Sequence, residues 1–328
     1  MNSPRKFTMT ALRSVSYFRK SFELYGAIVK RIGSSSVDFR VVIFTQSYRA
    51  GETSVHVIKV GDFKTSLSQQ LNVPEKDWQP KYRDLFENEI LSPSNCALVM
   101  TAGSVIVVDP NDFALTFPPQ IYPSSDYKVP PDLVTQLEGI SVKPEDVTDV
   151  MITHAHYDHF AAVTRQDRSG KYKPTFPNAK YYLGAADWEN PMVKEKLQEE
   201  NSGTRNSLGV LHEQKMLELV RGSKLLNSAV QIIPAPGESP GHQILEVQSS
   251  GQTFYFIGDL FHHWVEVEEP NFNVTWADPK QNAVSKRMIR EAASSKNALV
   301  IAGHMEPGKI RKKNDDGTFK WEEERKNP

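Results

Sequence analysis

The pattern of apolar and polar positions changes near residue 37. Before it, apolar residues recur at alternating steps of three and four, which is typical of an amphipathic helix. The members of this stripe are Val15, Phe18, Phe22, Tyr25, Val29 and Ile32. After it, short runs rich in β-branched and aromatic residues alternate with turn-forming residues and predict strands. We therefore expect an N-terminal arm over residues 1–36 and a single catalytic domain over residues 37–328.

The same pattern predicts where the strands and helices of the domain lie. Predicted strands cover residues 37–45, 54–60, 95–100, 104–109, 147–153, 179–183, 230–234, 243–248, 253–257 and 298–302. Predicted helices cover residues 132–139, 185–198, 208–220 and 282–295. We expect a loop containing proline and charged residues between residues 61 and 94. The tail from Lys309 mixes both signs of charge and is expected to be a solvated end.

The composition excludes several classes of protein. The 328 residues carry 39 basic and 40 acidic side chains, a formal net charge of -1, which gives no overall attraction to nucleic acid or anionic membrane. No apolar stretch approaches the length of a membrane span. The one cysteine, Cys96, excludes an intramolecular disulfide framework and a metal site made only of cysteines.

The N-terminal arm leaves several interpretations open. Residues 1–36 hold seven basic residues and one acidic residue, Glu23. A helical arm that docks on the domain or on a second subunit, and so permits a homodimer, is the simplest interpretation. A mitochondrial transit segment, a membrane-surface helix and disorder are the alternatives. We expect a cytoplasmic protein, with a mitochondrial one as the alternative.

A compact cluster of metal-binding residue types follows the predicted strand 147–153. The segment reads His154-Ala-His156-Tyr-Asp158-His159. His154 and His156 can project from one side of an extended loop, whereas Asp158 and His159 come where the chain turns and can project elsewhere. Imidazole and carboxylate are ligands that zinc favours, and hydrolytic zinc sites keep a position open for water. This spacing favours two metal ions over one.

Three further residues of the same types stand at predicted strand ends. His242 follows a Pro-Gly turn. Asp259 stands at the end of the strand 253–257, after a glycine, and His304 stands at the end of the strand 298–302, also after a glycine. Imidazoles and carboxylates packed together without a cation repel and desolvate one another. A purely structural interpretation of the whole set is therefore unfavourable.

In combination, these motifs resemble the metallo-β-lactamase-fold hydrolases over roughly residues 54–310. The resemblance implies an α/β fold, a four-layer αββα sandwich with two divalent metal ions. By that resemblance His154, His156 and His242 bind one metal, Asp158, His159 and His304 bind the other, and Asp259 bridges them. Zinc is the expected metal, and Mn, Fe or Co can use the same ligands.

His262, three residues after Asp259, narrows the resemblance further. This arrangement is similar to methyl parathion hydrolase and to one branch of the acyl-homoserine lactonases. It implies a dinuclear hydrolase in which a metal-bridging hydroxide attacks a lactone or other ester, with a phosphotriesterase side activity. Asp158, Asp259 and His262 are the expected catalytic residues, although His262 has packing as an equal alternative. The expected partner is a small-molecule substrate.

Other functions remain as alternatives at this point. They are hydrolysis of a β-lactam or thioester, an iron-dependent persulfide dioxygenase, and a non-catalytic binding protein. Asp109, the last residue of the predicted strand 104–109, is expected to orient the metal loop by accepting hydrogen bonds. The aromatic loop 110–128 is a candidate wall over the metals, and Trp188 with residues 191–222 is a candidate lid.

Overall fold

The computed structural model describes residues 30–32, 39–41, 44–313 and 317–324. Within these ranges, two seven-stranded sheets pack face to face, and helices cover the outer face of each. This is the four-layer αββα arrangement that the resemblance implies. In the described part of the chain, no helix combines the length and the hydropathy that a membrane span requires.

The strands are short, apart from two long neighbouring ones, β4 and β5. In chain order they are β1 (Lys30–Ile32), β2 (Phe39–Val41), β3 (Thr45–Ala50), β4 (Thr53–Thr65), β5 (Ile90–Thr101), β6 (Ser104–Val108), β7 (Asp149–Met151), β8 (Thr164–Gln166), β9 (Tyr172–Pro174), β10 (Lys180–Gly184), β11 (Leu217–Val220), β12 (Lys224–Leu225), β13 (Val230–Pro234), β14 (Gln243–Ser249), β15 (Gln252–Phe256), β16 (Leu299–Ile301), β17 (Gly308–Lys312) and β18 (Phe319–Glu323).

The helices are mostly single turns, and the longest covers the outer face of the second sheet. They are α1 (Leu67–Gln70), α2 (Glu75–Glu87), α3 (Phe113–Thr116), α4 (Leu133–Gly139), α5 (Ala185–Trp188), α6 (Pro191–Gln198), α7 (Val210–Glu213), α8 (Val265–Glu268) and α9 (Pro279–Ser295). Asp278 caps α9 by accepting hydrogen bonds from the backbone N–H groups of Lys280 and Gln281. Such a cap satisfies donors that the first helical turn leaves unpaired.

The strand order brings several strand ends to one rim. The first sheet runs β11-β10-β7-β6-β5-β4-β3, and the second runs β12-β13-β14-β15-β16-β17-β18. Strands β6, β7, β10 and β11 are parallel neighbours, as are β15 and β16. Carboxyl ends of parallel strands share one edge of a sheet, and such edges commonly form ligand sites.

Alternate residues of both sheets fill the space between them. From the first sheet come residues such as Val57, Val99 and Ile106, and from the second Leu245 and Ile301. The opposite face of the second sheet packs against α9, and that of the first packs against α4 and the segment before α7. The period-two alternation of the strands thus supplies one core between the sheets and one outside each sheet.

The loop predicted between residues 61 and 94 is wrong, because the segment contains α1 and α2. Pro80 and the many charges obscured the helical pattern, yet Trp78, Tyr82 and Phe86 recur every four residues and are buried. The backbone departs from helical geometry at Tyr82, two residues after the proline. This helix packs against the segment around α8.

Two further predictions need correction. The helix predicted over residues 208–220 stops at Glu213, and Leu217–Val220 forms β11, which pairs with β10. The tail from Lys309 is not a solvated end, since β17 and β18 extend the second sheet and bury Ile310 and Phe319. In both segments apolar residues alternate with charged ones, and this alternation favours a strand over a helix or a solvated end.

The N-terminal arm stays a prediction. Residues 1–29 lie outside the described residues, as does the boundary near residue 36. The helical stripe is wrong at Ile32, because Lys30–Ile32 forms β1 and pairs antiparallel with β2.

We expect Leu245→Ala to lower the free energy of unfolding by about 2–5 kcal/mol, because it leaves a cavity between the sheets. Urea denaturation of the full chain measures the loss. Leu225→Ala is the matched control, since Leu225 is 69% exposed, and it should change stability by no more than about 0.5 kcal/mol. Equal losses in both variants would contradict the assigned core.

Candidate metal centre

Six connections meet at the rim of the sandwich and carry the residues of the site and of its supporting contacts. They are the segments after β6, β7, β10, β15 and β16, and the connection from β13 to β14. The buried members are His154, His159, His242, Asp259, His262 and His304, and the partly exposed members are His156 and Asp158. The cluster therefore has one accessible side, at His156 and Asp158.

Three side chains form the first half of the cluster. His154 Nε2 and His156 Nδ1 are 2.9 Å apart. The carboxylate of Glu238 lies against both, with Oε1 3.1 Å from His156 Nδ1 and Oε2 3.5 Å from His154 Nε2. These three residues offer donor atoms that lie within 4.8 Å of one another. Glu238 was not among the predicted site residues.

Three more side chains form the second half. Asp158 Oδ2 lies 3.2 Å from His304 Nε2 and 3.7 Å from His159 Nε2. Their donor atoms also lie within 4.8 Å of one another. Each half therefore combines two imidazole nitrogens with a carboxylate oxygen, a donor set that divalent zinc accepts.

Asp259 lies between the two halves and beside His262. Its Oδ2 atom is 3.1 Å from His262 Nε2, 3.3 Å from His159 Nε2, 3.4 Å from His304 Nε2 and 3.9 Å from His154 Nε2. One carboxylate oxygen thus contacts imidazoles of both halves. The structure also places His262 directly in the cluster, 5% exposed, and not on the surface.

His242 lies at the edge of the first half. Its ring centroid is 5.2 Å from that of His154, and the side chain is buried. Both of its ring nitrogens are buried without a hydrogen-bond partner. The structure therefore brings His242 beside the cluster, while Glu238 provides the donor atom that joins His154 and His156.

Outer contacts turn the Nε2 atoms of the second half inward. Asp109 Oδ2 accepts hydrogen bonds from His159 Nδ1 at 2.9 Å and from Thr153 Oγ1 at 2.7 Å, and its Oδ1 accepts one from Thr153 N–H. His304 Nδ1 donates to the carbonyl oxygen of Pro93 at 3.1 Å. Holding one ring nitrogen leaves the other for a ligand. These contacts agree with the role expected of Asp109.

Asp187 ties together the two loops that carry the first half. Its Oδ2 accepts hydrogen bonds from Ala155 N–H and Ser239 Oγ, both at 2.8 Å, and its Oδ1 accepts one from Gly241 N–H at 2.6 Å. Ala155 separates His154 from His156, and Gly241 precedes His242. This buried carboxylate therefore fixes both loops at once.

Two glycines leave room for the cluster. Gly258 has φ of +51°, and a Cβ atom there would lie 2.5 Å from Thr153 Oγ1. A Cβ atom at Gly303 would lie 2.6 Å from Asp259 Oδ1. Left-handed backbone and close approach both favour glycine. The Gly-Asp and Gly-His pairs of the sequence thus have a steric cause.

The electrostatics of the cluster are strongly coupled. Burial opposes ionisation of Asp259, but the imidazoles of His159 and His304 outweigh burial and hold its pKa well below the usual range. Burial likewise opposes protonation of His159, yet Asp259 and Asp158 hold its pKa well above the usual range. Burial and neighbouring imidazoles both lower the pKa of His154. Each charge depends on its neighbours.

The unpaired atoms of the cluster fit a metal ion. Among the described residues, buried atoms without a hydrogen bond include His159 Nε2, Glu238 Oε2, Asp259 Oδ1 and both ring nitrogens of His242 and His262. Leaving such an atom unpaired costs about 1–3 kcal/mol. Nitrogen and carboxylate oxygen atoms converging in this way are what a divalent cation would satisfy.

Aromatic rings border the cluster on two sides. Phe63 stacks on Phe117 with ring centroids 4.3 Å apart, and it meets His304 edge-on with ring centroids 5.2 Å apart. On the other side, Trp276 lies edge-on to His262 at 5.5 Å and is 48% exposed. Phe117 is the part of the aromatic loop 110–128 that contributes to this wall.

The other aromatic residues of that loop and of the expected lid lie deeper. Phe113 is buried and packs against Tyr122 and Tyr127. Trp188, expected in a lid, is buried in the core outside the first sheet, and its ring centroid lies 4.5 Å from that of His212. Trp188 therefore packs in the core and does not form the lid that was expected of it.

Comparison with known proteins identifies the family. The model of the metallo-β-lactamase superfamily matches residues 90–304, about two thirds of the chain, so the chain belongs to this superfamily. It is similar to an N-acyl homoserine lactonase of Bacillus cereus, with 24% identity over 174 residues. That match covers 52% of this chain and 61% of the relative, so the chain spans under two thirds of the curated relatives' length.

Solved structures share the fold. The hydrolase AbOPH of the β-lactamase superfamily aligns with a TM-score of 0.68 and 18% identity, covering 87% of this chain and 98% of that one. AidC, a dizinc quorum-quenching lactonase, aligns with a TM-score of 0.67 and 19% identity, covering 87% and 99%. The match to the superfamily model confirms the predicted family, and the structural alignments confirm the predicted fold.

Glu238, Asp187 and Trp276 were missed by reasoning from the sequence. Glu238 stands four residues before His242 in the same turn, and its place between two Pro-Gly pairs, Pro236-Gly237 and Pro240-Gly241, was the available signal. Asp187 and Trp276 carry no local signal, because their partners are distant in the sequence.

We expect Asp187→Ala to weaken metal binding by about 10–100-fold, because removing an outer contact frees both loops of the first half. Titration with Zn²⁺ against a chromophoric chelator measures the affinity. Asp167→Ala, which removes the acceptor of an exposed turn, is the control and should bind as the wild type does. Unchanged affinity in Asp187→Ala would show that the loops hold their places without it.

Proposed function

We propose that this chain is a dinuclear metal-dependent hydrolase that opens a lactone or another carboxylic ester. The observation that carries the proposal is the position of Asp259, whose Oδ2 lies within 4 Å of imidazoles from both halves of the cluster. A carboxylate in that position suits a bridge between two cations.

The proposed ligands are the seven residues predicted from the sequence. His154, His156 and His242 hold one ion, Asp158, His159 and His304 hold the other, and Asp259 is shared. When bound, two divalent ions lower the pKa of water to about 7 and polarise the oxygen that the reaction makes negative. Zinc fits this donor set, and Mn, Fe and Co accept it too.

The chain's own side chains have distinct proposed roles. Asp158 is the partly exposed carboxylate of the second half, placed to pass a proton to the leaving alkoxide. His262, held beside Asp259, is placed to donate a hydrogen bond to the developing oxyanion. Hydrolysis adds water across the acyl C–O bond, so a lactone gives a hydroxy acid.

The aromatic border supports an apolar acyl group in the substrate. Phe63 and Phe117 lie beside His304, and Trp276 lies beside His262 at the other side. The curated relatives are N-acyl homoserine lactonases, which act on a lactone that carries an acyl chain. An acylated lactone is therefore the first substrate to test, and an aryl phosphotriester is the second.

We expect the zinc-loaded wild type to hydrolyse an acylated lactone, and His154→Ala to lose at least about a hundredfold in kcat/KM because one half of the site is broken. A pH-indicator assay measures acid release. His56→Ala, on β4 away from the cluster, is the control and should retain activity. Full activity in His154→Ala would contradict the proposal.

The same preparation separates the alternative reactions. A β-lactam, a thioester and an aryl phosphotriester are offered beside the lactone, and oxygen uptake is recorded with a persulfide. Oxygen uptake without hydrolysis would identify an iron dioxygenase. A chain that binds metal and turns over none of these substrates would favour a binding protein.

We expect Phe117→Ala to raise the KM for a long-chain acyl lactone by about tenfold, because losing one aromatic contact costs about 1.4 kcal/mol. A short-chain lactone should change much less. Leu115→Ala, in the same loop but 64% exposed, is the control. An equal effect on both chain lengths would remove Phe117 from the acyl site.

A further inference from the structure

Glu238 has the surroundings of a ligand and not of a structural acid. It lies in the turn between β13 and β14, and its side chain is fully buried. Basic partners that commonly neutralise a buried glutamate, a lysine or an arginine, are not among its contacts in the described part of the chain. Its carboxylate instead contacts His154, His156 and the indole N–H of Trp276.

The distances around Glu238 match those between ligands of one metal ion. Two donors that are each about 2.1 Å from the same ion lie about 3–3.5 Å apart. His154 Nε2 and His156 Nδ1 are 2.9 Å apart, and the Glu238 carboxylate meets them through its two oxygens, with Oε1 3.1 Å from His156 Nδ1 and Oε2 3.5 Å from His154 Nε2. One donor atom from each of the three residues lies within 4.8 Å of the others, as in the group of Asp158, His159 and His304.

The two oxygens of Glu238 have different partners. Trp276 Nε1 donates a hydrogen bond of 2.7 Å to Oε1, which also lies 3.1 Å from His156 Nδ1. Oε2 is buried, has no hydrogen bond and faces His154. A carboxylate held through one oxygen by a tryptophan N–H, with the other oxygen buried, unpaired and facing an imidazole, is oriented as ligating carboxylates are.

We propose that Glu238 Oε2 is a ligand of the metal ion held by His154 and His156, beside the predicted ligand His242, and that Trp276 is its positioning residue. This inference rests on the proposed metal centre. A third carboxylate adds a hard oxygen donor and one negative charge, which increases the affinity of this half for Mn²⁺ and Fe²⁺ relative to a site of imidazoles.

Titration of the chelator-treated full chain with Co²⁺ tests the assignment, with the visible absorption of bound cobalt as the readout. The wild type should bind two equivalents. In Glu238→Gln one of the two should bind at least about tenfold more weakly, with a changed cobalt spectrum. Trp276→Phe should weaken the same equivalent to a smaller degree.

Glu246→Gln is the matched control, because Glu246 is a buried glutamate that pairs with Lys296 outside the cluster. It should bind cobalt as the wild type does. Wild-type affinity and spectrum for both equivalents in Glu238→Gln would overturn the assignment while leaving the metal centre intact. Failure of the wild type itself to bind cobalt would overturn the metal centre and this inference with it.

Circular dichroism verifies the fold of each variant. Should Glu238→Gln lose its fold, Glu238→Asp provides the test, because it keeps the charge and withdraws the carboxylate by one methylene. A weakened equivalent in that variant supports the assignment, and wild-type binding overturns it.

Discussion

The contact on which the rest of the structure depends is that of the buried Asp259 carboxylate with the surrounding imidazoles. A carboxylate 4% exposed is costly unless opposite charge or a cation compensates it. His159, His262 and His304 all lie within 3.4 Å of its Oδ2 atom. The carboxylate and the imidazoles therefore compensate one another's charge, and divalent cations would compensate the carboxylate most strongly.

The four-layer architecture stabilises the fold enough to hold this concentration of charge. The apolar core between the sheets and the two outer cores hold the strands in place. The unpaired polar atoms of the cluster lie at the rim, in the loops after β7, β13 and β15. Asp109 and Asp187 fix these loops through short hydrogen bonds, and Gly258 and Gly303 leave space where side chains would clash.

The sequence allowed the centre of the site to be predicted because its strongest signal is local. Residues 154–159 hold four of the seven predicted ligands, and Asp259 and His304 stand directly after glycines at strand ends. The match to the superfamily model confirms the family and the fold that this pattern implied. The ligand assignments themselves stay predictions that the geometry supports.

What could not be predicted depends on contacts between distant segments. Asp187 meets partners 32 and 54 residues away, and Trp276 meets Glu238 across 38 residues. No local pattern marks such pairs. The missed helix α2 has a different cause, because Pro80 and a high charge concealed its buried face. The strands β17 and β18 were missed because charged residues alternate with the few that are buried.

The most direct test of the account is the number of metal ions that Asp259 controls. The wild-type chain and Asp259→Asn are loaded with zinc, dialysed and analysed for metal by mass spectrometry. If Asp259 is shared between both halves, the wild type retains two ions per chain and the variant loses affinity for both. A wild type that retains one ion or none, or a variant that retains both, would contradict the account.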